Sequence, residues 1–222
     1  MGTLFSVLLA FRSDIFNMIT APFRYWIKKE NNLEISQALN WDLYIIIGSI
    51  PAALIGLIFK KQIEAIFSNV FLVIIMLAVT GTIMFISKYI LAHYGKINIP
   101  RSFVIGIAQA CAILPGISRS GSTIVTGMAL GVNREKAAKF SFILSIPAIL
   151  GATILKINDL ITSHVSLLEL MYLFIGAFTA FISGYLAIIW LLDIVRKGKL
   201  EFFGFYCYGI VFIALFLYWL KF

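Results

Sequence analysis

This 222-residue chain is too apolar for a soluble globular protein, since 61% of its residues are hydrophobic and 13% are charged. Its formal net charge is +8, but the basic residues lie in short segments between apolar runs. That distribution excludes a nucleic-acid-binding surface and indicates that the charges set membrane orientation. We therefore predict a single polytopic membrane domain over residues 1–222.

The first apolar run covers residues 2–11 and ends at the polar residues Arg12, Ser13 and Asp14. It has neither a basic start nor a small-residue cleavage site, which argues against a signal peptide. A run of about ten residues is half of what a helix needs to cross a bilayer. The pattern predicts the second half of a membrane helix, and we expect that an upstream part is missing from this chain.

Residues 21–42 are predicted to form a polar connector, with Trp26 and Trp41 at the membrane interface. Within it, Glu30 and Glu34 have a spacing that would place both on one face of a helix. Because they lie in the most hydrophilic part of the chain, we interpret them as solvated residues and not as a catalytic pair.

Five longer apolar runs predict membrane crossings. They cover residues 42–59, 70–92, 140–155, 171–192 and 204–220. Between the second and third crossings lie two shorter runs, 103–114 and 124–130. At about 12 and 7 residues, each is too short to cross a bilayer.

The two short runs meet at a polar segment, which we call the tip segment. It covers residues 115–123 and reads Pro-Gly-Ile-Ser-Arg-Ser-Gly-Ser-Thr. Two half-crossings that meet at a polar tip predict a re-entrant helical hairpin, which is tolerated at membrane depth where protein or a wet cavity surrounds it. An arginine at that depth costs about 3 kcal/mol on insertion scales, so Arg119 indicates a functional site. The alternative is an ordinary cytoplasmic loop between two short helices.

The local pattern also predicts how the second helix of the hairpin begins. We expect Ser120 or Ser122 to cap a helix that runs from Thr123 to about Leu130. The free backbone amides of its first turn, from Ser122 onward, would then face the tip segment and favour an anion.

The chemistry of the tip segment is that of an anion site. A guanidinium group can bind phosphate through two parallel hydrogen bonds, hydroxyl groups can donate further bonds, and glycines allow the backbone to approach closely. We predict that Arg119, Ser118 and Ser120 are catalytic, with Arg119 as the clamp. The predicted substrate-binding residues are Gly116, Gly121, Ser122, Thr123 and Gln109.

Two points about these roles stay open at the sequence level. Gln109 either lines the site or forms a hydrogen bond to a neighbouring helix. A serine could act as a nucleophile only with a base in reach, and the two histidines, His93 and His164, are predicted to lie in loops away from the hairpin. Cys111 and Cys207 lie in apolar runs without metal-binding spacing, so we interpret both as packing residues and predict no metal ligands among the residues present.

The tip segment, preceded by Gln109 and followed by Gly131, Arg134 and Phe140-Ser141-Phe142, resembles the second signature of the undecaprenyl-diphosphate phosphatase (bacitracin resistance) family. The resemblance covers nearly the whole chain. It implies an all-α integral membrane protein with an inverted repeat, in which each half contributes one re-entrant hairpin and three crossings, the first half here lacking its hairpin. It also implies a multi-pass hydrolase of the bacterial cytoplasmic membrane, which removes the terminal phosphate of the C55 isoprenoid diphosphate and so recycles the lipid carrier for peptidoglycan.

This chain departs from the family pattern in one respect. The family's first signature, a (Glu/Gln)-x-x-x-Glu pair followed by Pro-x-Ser-Ser-x-x-His, is not found, and Glu30 and Glu34 match only the spacing of the pair. The resemblance implies a divalent cation, Mg or Ca, whose ligands cannot be assigned in this chain. We therefore expect weak or no activity from the chain as it stands.

The expected partners are the membrane, an isoprenoid diphosphate lipid and, in a possible homodimer, a second copy of the chain. If the hairpin enters and leaves on one face, most loop lysines and arginines fall on that face, which the positive-inside rule makes cytoplasmic. The basic residues of the opposite face are Lys60, Lys61, Lys156 and Lys221. A transporter or lipid translocator remains the alternative function, because such proteins also place broken helices at the bilayer midplane.

Overall fold

The computed structural model describes residues 1–30, 32–91, 93–162 and 166–221. These residues are mainly helical, and no β-strand occurs among them, so the predicted all-α class is confirmed. The α-helices of the described ranges are α1 (Gly2–Ala10), α2 (Arg12–Trp26), α3 (Leu33–Ile58), α4 (Lys60–Ile66), α5 (Val70–Ile86), α6 (Ile99–Cys111), α7 (Arg119–Ala129), α8 (Arg134–Thr162), α9 (Leu167–Arg196) and α10 (Glu201–Lys221).

Within the described ranges, five helices are long and apolar enough to cross a membrane. They are Leu33–Ile58, Val70–Tyr89, Arg134–Ile154, Leu168–Arg196 and Glu201–Leu220. Each contains most of one predicted crossing. All except Val70–Tyr89 also extend beyond it, because polar residues continue the helix where it leaves the apolar layer. The chain is a multi-pass membrane protein.

The prediction of a polar connector over residues 21–42 is wrong, because α2 and the first part of α3 occupy most of it. Ala21, Ile35 and Ala38 form a small buried cluster that gives these polar helices an apolar face to pack. Glu30 forms an exposed ion pair with Arg24 at 2.8 Å, which agrees with the interpretation of the acidic pair as solvated.

The chain divides into two compact units, one of residues 1–45 and 142–193 and the other of residues 46–141 and 194–222. In the first unit, α1 turns into α2 by 84° at Phe11. The Ser6 hydroxyl donates a hydrogen bond of 2.7 Å to the carbonyl oxygen of Phe181 on α9. At 9 residues, α1 is about 14 Å long, about half the thickness of the hydrocarbon core.

In the second unit, α5 and α10 pack side by side. The rings of Phe85 and Phe205 meet edge to face with centroids 4.7 Å apart, and the Thr82 hydroxyl lies 2.8 Å from the Tyr208 hydroxyl. Cys207 is buried against Gly81, as a packing residue would be. Cys111 is exposed, so the packing interpretation is wrong for that residue.

The second unit also contains the predicted hairpin, formed by α6 and α7. At its base, the Gly95 amide donates to the Gly131 carbonyl oxygen at 3.2 Å, and the Asn133 amide donates to the Gly95 carbonyl oxygen at 3.1 Å. Helices of 13 and 11 residues are about 20 and 16 Å long. The hairpin therefore enters and leaves at one place. The inverted repeat stays a prediction.

Candidate functional site

The tip of the hairpin contacts the middle of α5 through Thr80. The Thr80 hydroxyl lies 2.8 Å from the carbonyl oxygen of Gly116 and 3.0 Å from the amide of Ser118. Thr80 lies at the centre of the 20-residue span Val70–Tyr89, about 15 Å from either end of that helix. The tip segment is therefore at membrane depth, which excludes the interpretation of it as an ordinary surface loop.

Gly116 is the residue that lets the tip segment approach α5 so closely. Its φ angle is +95°, in the region that favours glycine. A β-carbon at this position would lie 2.9 Å from the Cβ of Met76 and closer still to the carbonyl oxygen of Val73. The structure therefore gives Gly116 a positioning role in the tip, and a direct contact with substrate stays a prediction.

Helix α7 begins at Arg119 and is capped by Ser118, whose hydroxyl accepts a 3.2 Å hydrogen bond from the Gly121 amide. The prediction of a cap at Ser120 or Ser122 is wrong. The physical reason is that the backbone is already helical from Arg119, whereas Ser118 has the extended conformation of a cap residue. The Ser118 carbonyl accepts from Ser122, so the first-turn amides without an intrahelical acceptor are those of Arg119 and Ser120.

Arg119 is partly buried, and its Nη1 donates a 3.0 Å hydrogen bond to the carbonyl oxygen of Ser141 on α8. No carboxylate within the described ranges forms an ion pair with it. An isolated cation in an apolar layer is costly unless it meets an anion. The Ser141 contact uses one of five guanidinium donors, so the remaining donors are available to a ligand.

Thr123 is fully buried, and its hydroxyl already has protein partners. It lies 2.8 Å from the carbonyl oxygen of Arg119 and 2.5 Å from the Ser141 hydroxyl. The structure thus places Thr123 as a link between α7 and α8. The substrate contact predicted for Thr123 stays a prediction.

Two other predicted residues are buried without a hydrogen-bond partner. Ser122 is 6% exposed and Gln109 is 3% exposed. Neither the Ser122 hydroxyl nor either amide atom of Gln109 has a partner in the described part of the chain. The hydrogen bond from Gln109 to a neighbouring helix, one of the two interpretations above, is therefore not formed. Buried polar groups without a partner are rare in proteins and suggest a ligand or bound water.

Ser120 and Gly121 complete the predicted set. Ser120 is partly buried in the first turn of α7. Gly121 is buried against the Met84 side chain of α5 and against Ser118, so no larger residue fits there without a shift. The structure brings all the predicted residues of the tip segment to the end of the hairpin that rests on α5.

Two residues that hold this site were not among the predicted site residues. Thr80 belongs to the Thr80-Gly81-Thr82 sequence, a polar interruption of the apolar helix α5, which was the signal available. Ser141 was part of the quoted family pattern, but the contact of its backbone carbonyl with Arg119 could not be inferred from residue type.

Among the described residues, the tip has neither a metal site nor a general base. Across the described residues, no three His, Cys, Asp or Glu side chains come together in a way that could hold a metal ion, so the donor set does not fit the cation that the family resemblance implies. His93 is exposed, but it lies close to Gly131 at the base of the hairpin, so the prediction that it lies away from the hairpin is wrong. The base is the opposite end from the tip. His164 lies outside the described residues.

A family model described as Bacitracin resistance protein BacA matches residues 1–213 of the chain. The chain belongs to this family. Curated relatives in the BacA family have the name undecaprenyl-diphosphatase. The protein of Methanobrevibacter smithii is 40% identical over 219 residues, which are 94% of this chain and 78% of the relative. That of Halothermothrix orenii is 38% identical over 96% of this chain and 80% of the relative. That of Bacteroides fragilis is 40% identical over 93% of this chain and 76% of the relative.

Proposed function

We propose that this BacA-family chain is an undecaprenyl-diphosphatase. The reaction cleaves the phosphoanhydride bond of undecaprenyl diphosphate with water and yields undecaprenyl monophosphate and phosphate. The names of the relatives support the assignment. The observation in the structure that supports it best is Arg119, a cation without an acidic partner among the described residues, held at membrane depth at the start of a helix.

The arrangement of the tip suits a lipid diphosphate because the two parts of that molecule need different surroundings. The isoprenoid chain is apolar and stays in the bilayer, and the diphosphate must meet positive charge and hydrogen-bond donors. Arg119 supplies the charge and a planar set of donors. The free first-turn amides of Arg119 and Ser120 add donors at the positive end of the helix dipole.

Ser118 can also donate a hydrogen bond to the diphosphate. Its hydroxyl oxygen accepts from the Gly121 amide, so its own hydrogen is not used by that bond. The hydroxyl of Ser120, on the first turn of α7, is the second candidate donor. Both residues flank Arg119 in the chain, and the proposal is that their hydroxyls donate to the phosphoryl group that the guanidinium binds.

The proposal assigns binding and polarisation of the diphosphate to the tip segment, and it assigns the nucleophile to no residue. A serine nucleophile or an attacking water needs a general base, and the described residues at the tip include no carboxylate or imidazole. The divalent cation that the family resemblance implies remains part of the proposal. No step is derived through it, because the described residues provide no set of ligands.

We further propose that the protein lies in the bacterial cytoplasmic membrane with the base of the hairpin on the cytoplasmic side. The support is the positive-inside rule, since the base and the adjacent turns contain Lys96, Arg101, Lys136, Lys197 and Lys199. A homodimer is part of the proposal and is tested by the mass of the purified protein in detergent.

The test measures phosphate release from undecaprenyl diphosphate by the purified protein in detergent. Because the family's first signature is not found in the chain, we expect slow hydrolysis, and we expect Arg119→Ala to abolish it. Arg196→Ala is the matched control, because Arg196 forms an exposed ion pair with Glu135 away from the tip. A lipid translocator would instead move labelled lipid across liposomes without releasing phosphate, and that result would refute the proposal.

A further inference from the structure

The tip of the hairpin is attached to α5 by one buried hydroxyl group, that of Thr80. Thr80 is 2% exposed. Its hydroxyl donates to the carbonyl oxygen of Gly116 at 2.8 Å and accepts from the amide of Ser118 at 3.0 Å. One hydroxyl therefore holds the backbone on both sides of Ile117.

This attachment lies directly next to the first turn of α7. Ser118 is the residue whose amide binds Thr80 and whose hydroxyl caps the helix. Arg119 follows it in the chain. The position of the Thr80 hydroxyl therefore determines where the cap hydroxyl and the free first-turn amides lie, and it sets the starting point of the Arg119 side chain.

The helix that carries Thr80 is itself well supported. On α5, Phe85 packs against Phe205 of α10 and Gly81 lies against Cys207 of α10. Gly116 adds a close contact between the tip backbone and α5 near Met76. The hydroxyl of Thr80 thus projects from a rigid surface, which is what a group that positions others requires.

We propose that Thr80 is a positioning residue for the hydrolysis of the lipid diphosphate, an inference that rests on the proposed function. Thr80 does not touch the substrate. It holds Ser118 and Arg119 in position to bond the phosphoryl oxygens of the transition state. Small displacements of groups that bond the transition state lower the rate strongly. Its loss should therefore reduce kcat more than it raises KM.

The experiment compares three variants of the whole chain. Thr80→Val keeps the shape of the side chain and removes the hydroxyl, and Thr80→Ser keeps the hydroxyl. Thr82→Val is the matched control. It also removes a threonine hydroxyl from α5, but that hydroxyl bonds Tyr208 of α10 and not the hairpin. We expect Thr80→Val to lower kcat about tenfold or more with KM changed less than about threefold. Thr80→Ser and Thr82→Val should stay within about threefold of the wild type in both constants.

A Thr80→Val variant with wild-type kcat would overturn the inference, and so would an equal loss in Thr80→Val and Thr82→Val, which would indicate general destabilisation. The hydrogen-exchange rate of the Ser118 backbone amide gives a measurement that does not depend on catalytic activity. It should be faster in Thr80→Val only. If the wild type itself releases no phosphate, the proposed function fails, and unchanged exchange at Ser118 would then also refute the attachment by Thr80.

Discussion

At the base of the hairpin, Gly95 and Gly131 pair through backbone groups, whereas at the tip the contacts are made by the side-chain hydroxyls of Thr80 and Thr123. The base carries exposed residues that water can solvate. The tip lies at membrane depth, where every polar group needs a partner in the protein or a ligand.

The two ends of the hairpin also differ in their buried polar groups that have no partner. At the base, the partly buried Arg101 lies beside Gly95 and donates to the carbonyl oxygen of Lys96, and the Nε of Arg134 is the buried side-chain atom without a partner among the described residues there. At the tip, Gln109 and Ser122 are buried without a partner, and Arg119 has no acidic partner among the described residues. In a low-dielectric layer such groups are expensive, so the tip, and not the base, has the properties of a binding site.

The largest expected effect separates the two arginines of the hairpin. Arg119→Ala should lower kcat/KM for undecaprenyl diphosphate about a thousandfold, because it removes the charge that stabilises the transition state. Arg101→Ala at the base should change it less than about threefold. The measurement is steady-state phosphate release by both variants. Equal losses of kcat/KM in the two variants would show that Arg119 has no particular role in the hydrolysis.

A second comparison uses two glycines with positive φ. Gly116 at the tip has a φ of +95° and Gly131 at the base has a φ of +80°. Alanine at Gly131 should cost about 1 kcal/mol of stability from the backbone alone. Alanine at Gly116 should cost about 3 kcal/mol, because its Cβ also overlaps atoms of α5.

Thermal unfolding in detergent measures both glycine variants, with the wild type as reference. We expect the Gly116 variant to lose more stability than the Gly131 variant, because the tip backbone is in close contact with α5. Similar shifts in Tm for the two variants would contradict the close contact.

Gln109→Leu tests whether the unpartnered amide serves a ligand. We expect activity to fall about tenfold, since one hydrogen bond to a charged ligand is worth about 1.5 kcal/mol or more. Stability should be unchanged or higher, because an unsatisfied amide is removed from the interior. Activity assays and unfolding curves on the same preparation provide the two readouts. A loss of stability with full activity would assign Gln109 to packing.

The smallest effect concerns the link between α7 and α8. Thr123→Val and Ser141→Ala each remove one hydroxyl of a buried pair, and each should destabilise the protein by about 1 kcal/mol. The double variant should lose less than the sum, since the two groups interact. Additive losses in a double-mutant cycle would show that the pair is not coupled.

Much of the fold could be predicted from the sequence because apolar runs and their lengths have a direct physical meaning in a bilayer. The five crossings and the two short helices that flank the tip segment follow from that rule. The helices at 12–26 and from residue 33 did not follow, because their helical state depends on the small buried cluster that includes Ala21 and Ile35. Local polarity alone indicated a connector there.

By itself, the sequence determined the membrane class, the presence of a polar tip between half-crossings and the family. It did so because burial in lipid constrains composition residue by residue. Only the tertiary structure decided that Ser118 begins α7, that Thr80 holds the tip and that a carbonyl of α8 receives Arg119. Those outcomes depend on hydrogen bonds between residues far apart in the chain, and no local pattern specifies which distant group will lie within 3 Å of an amide or a guanidinium.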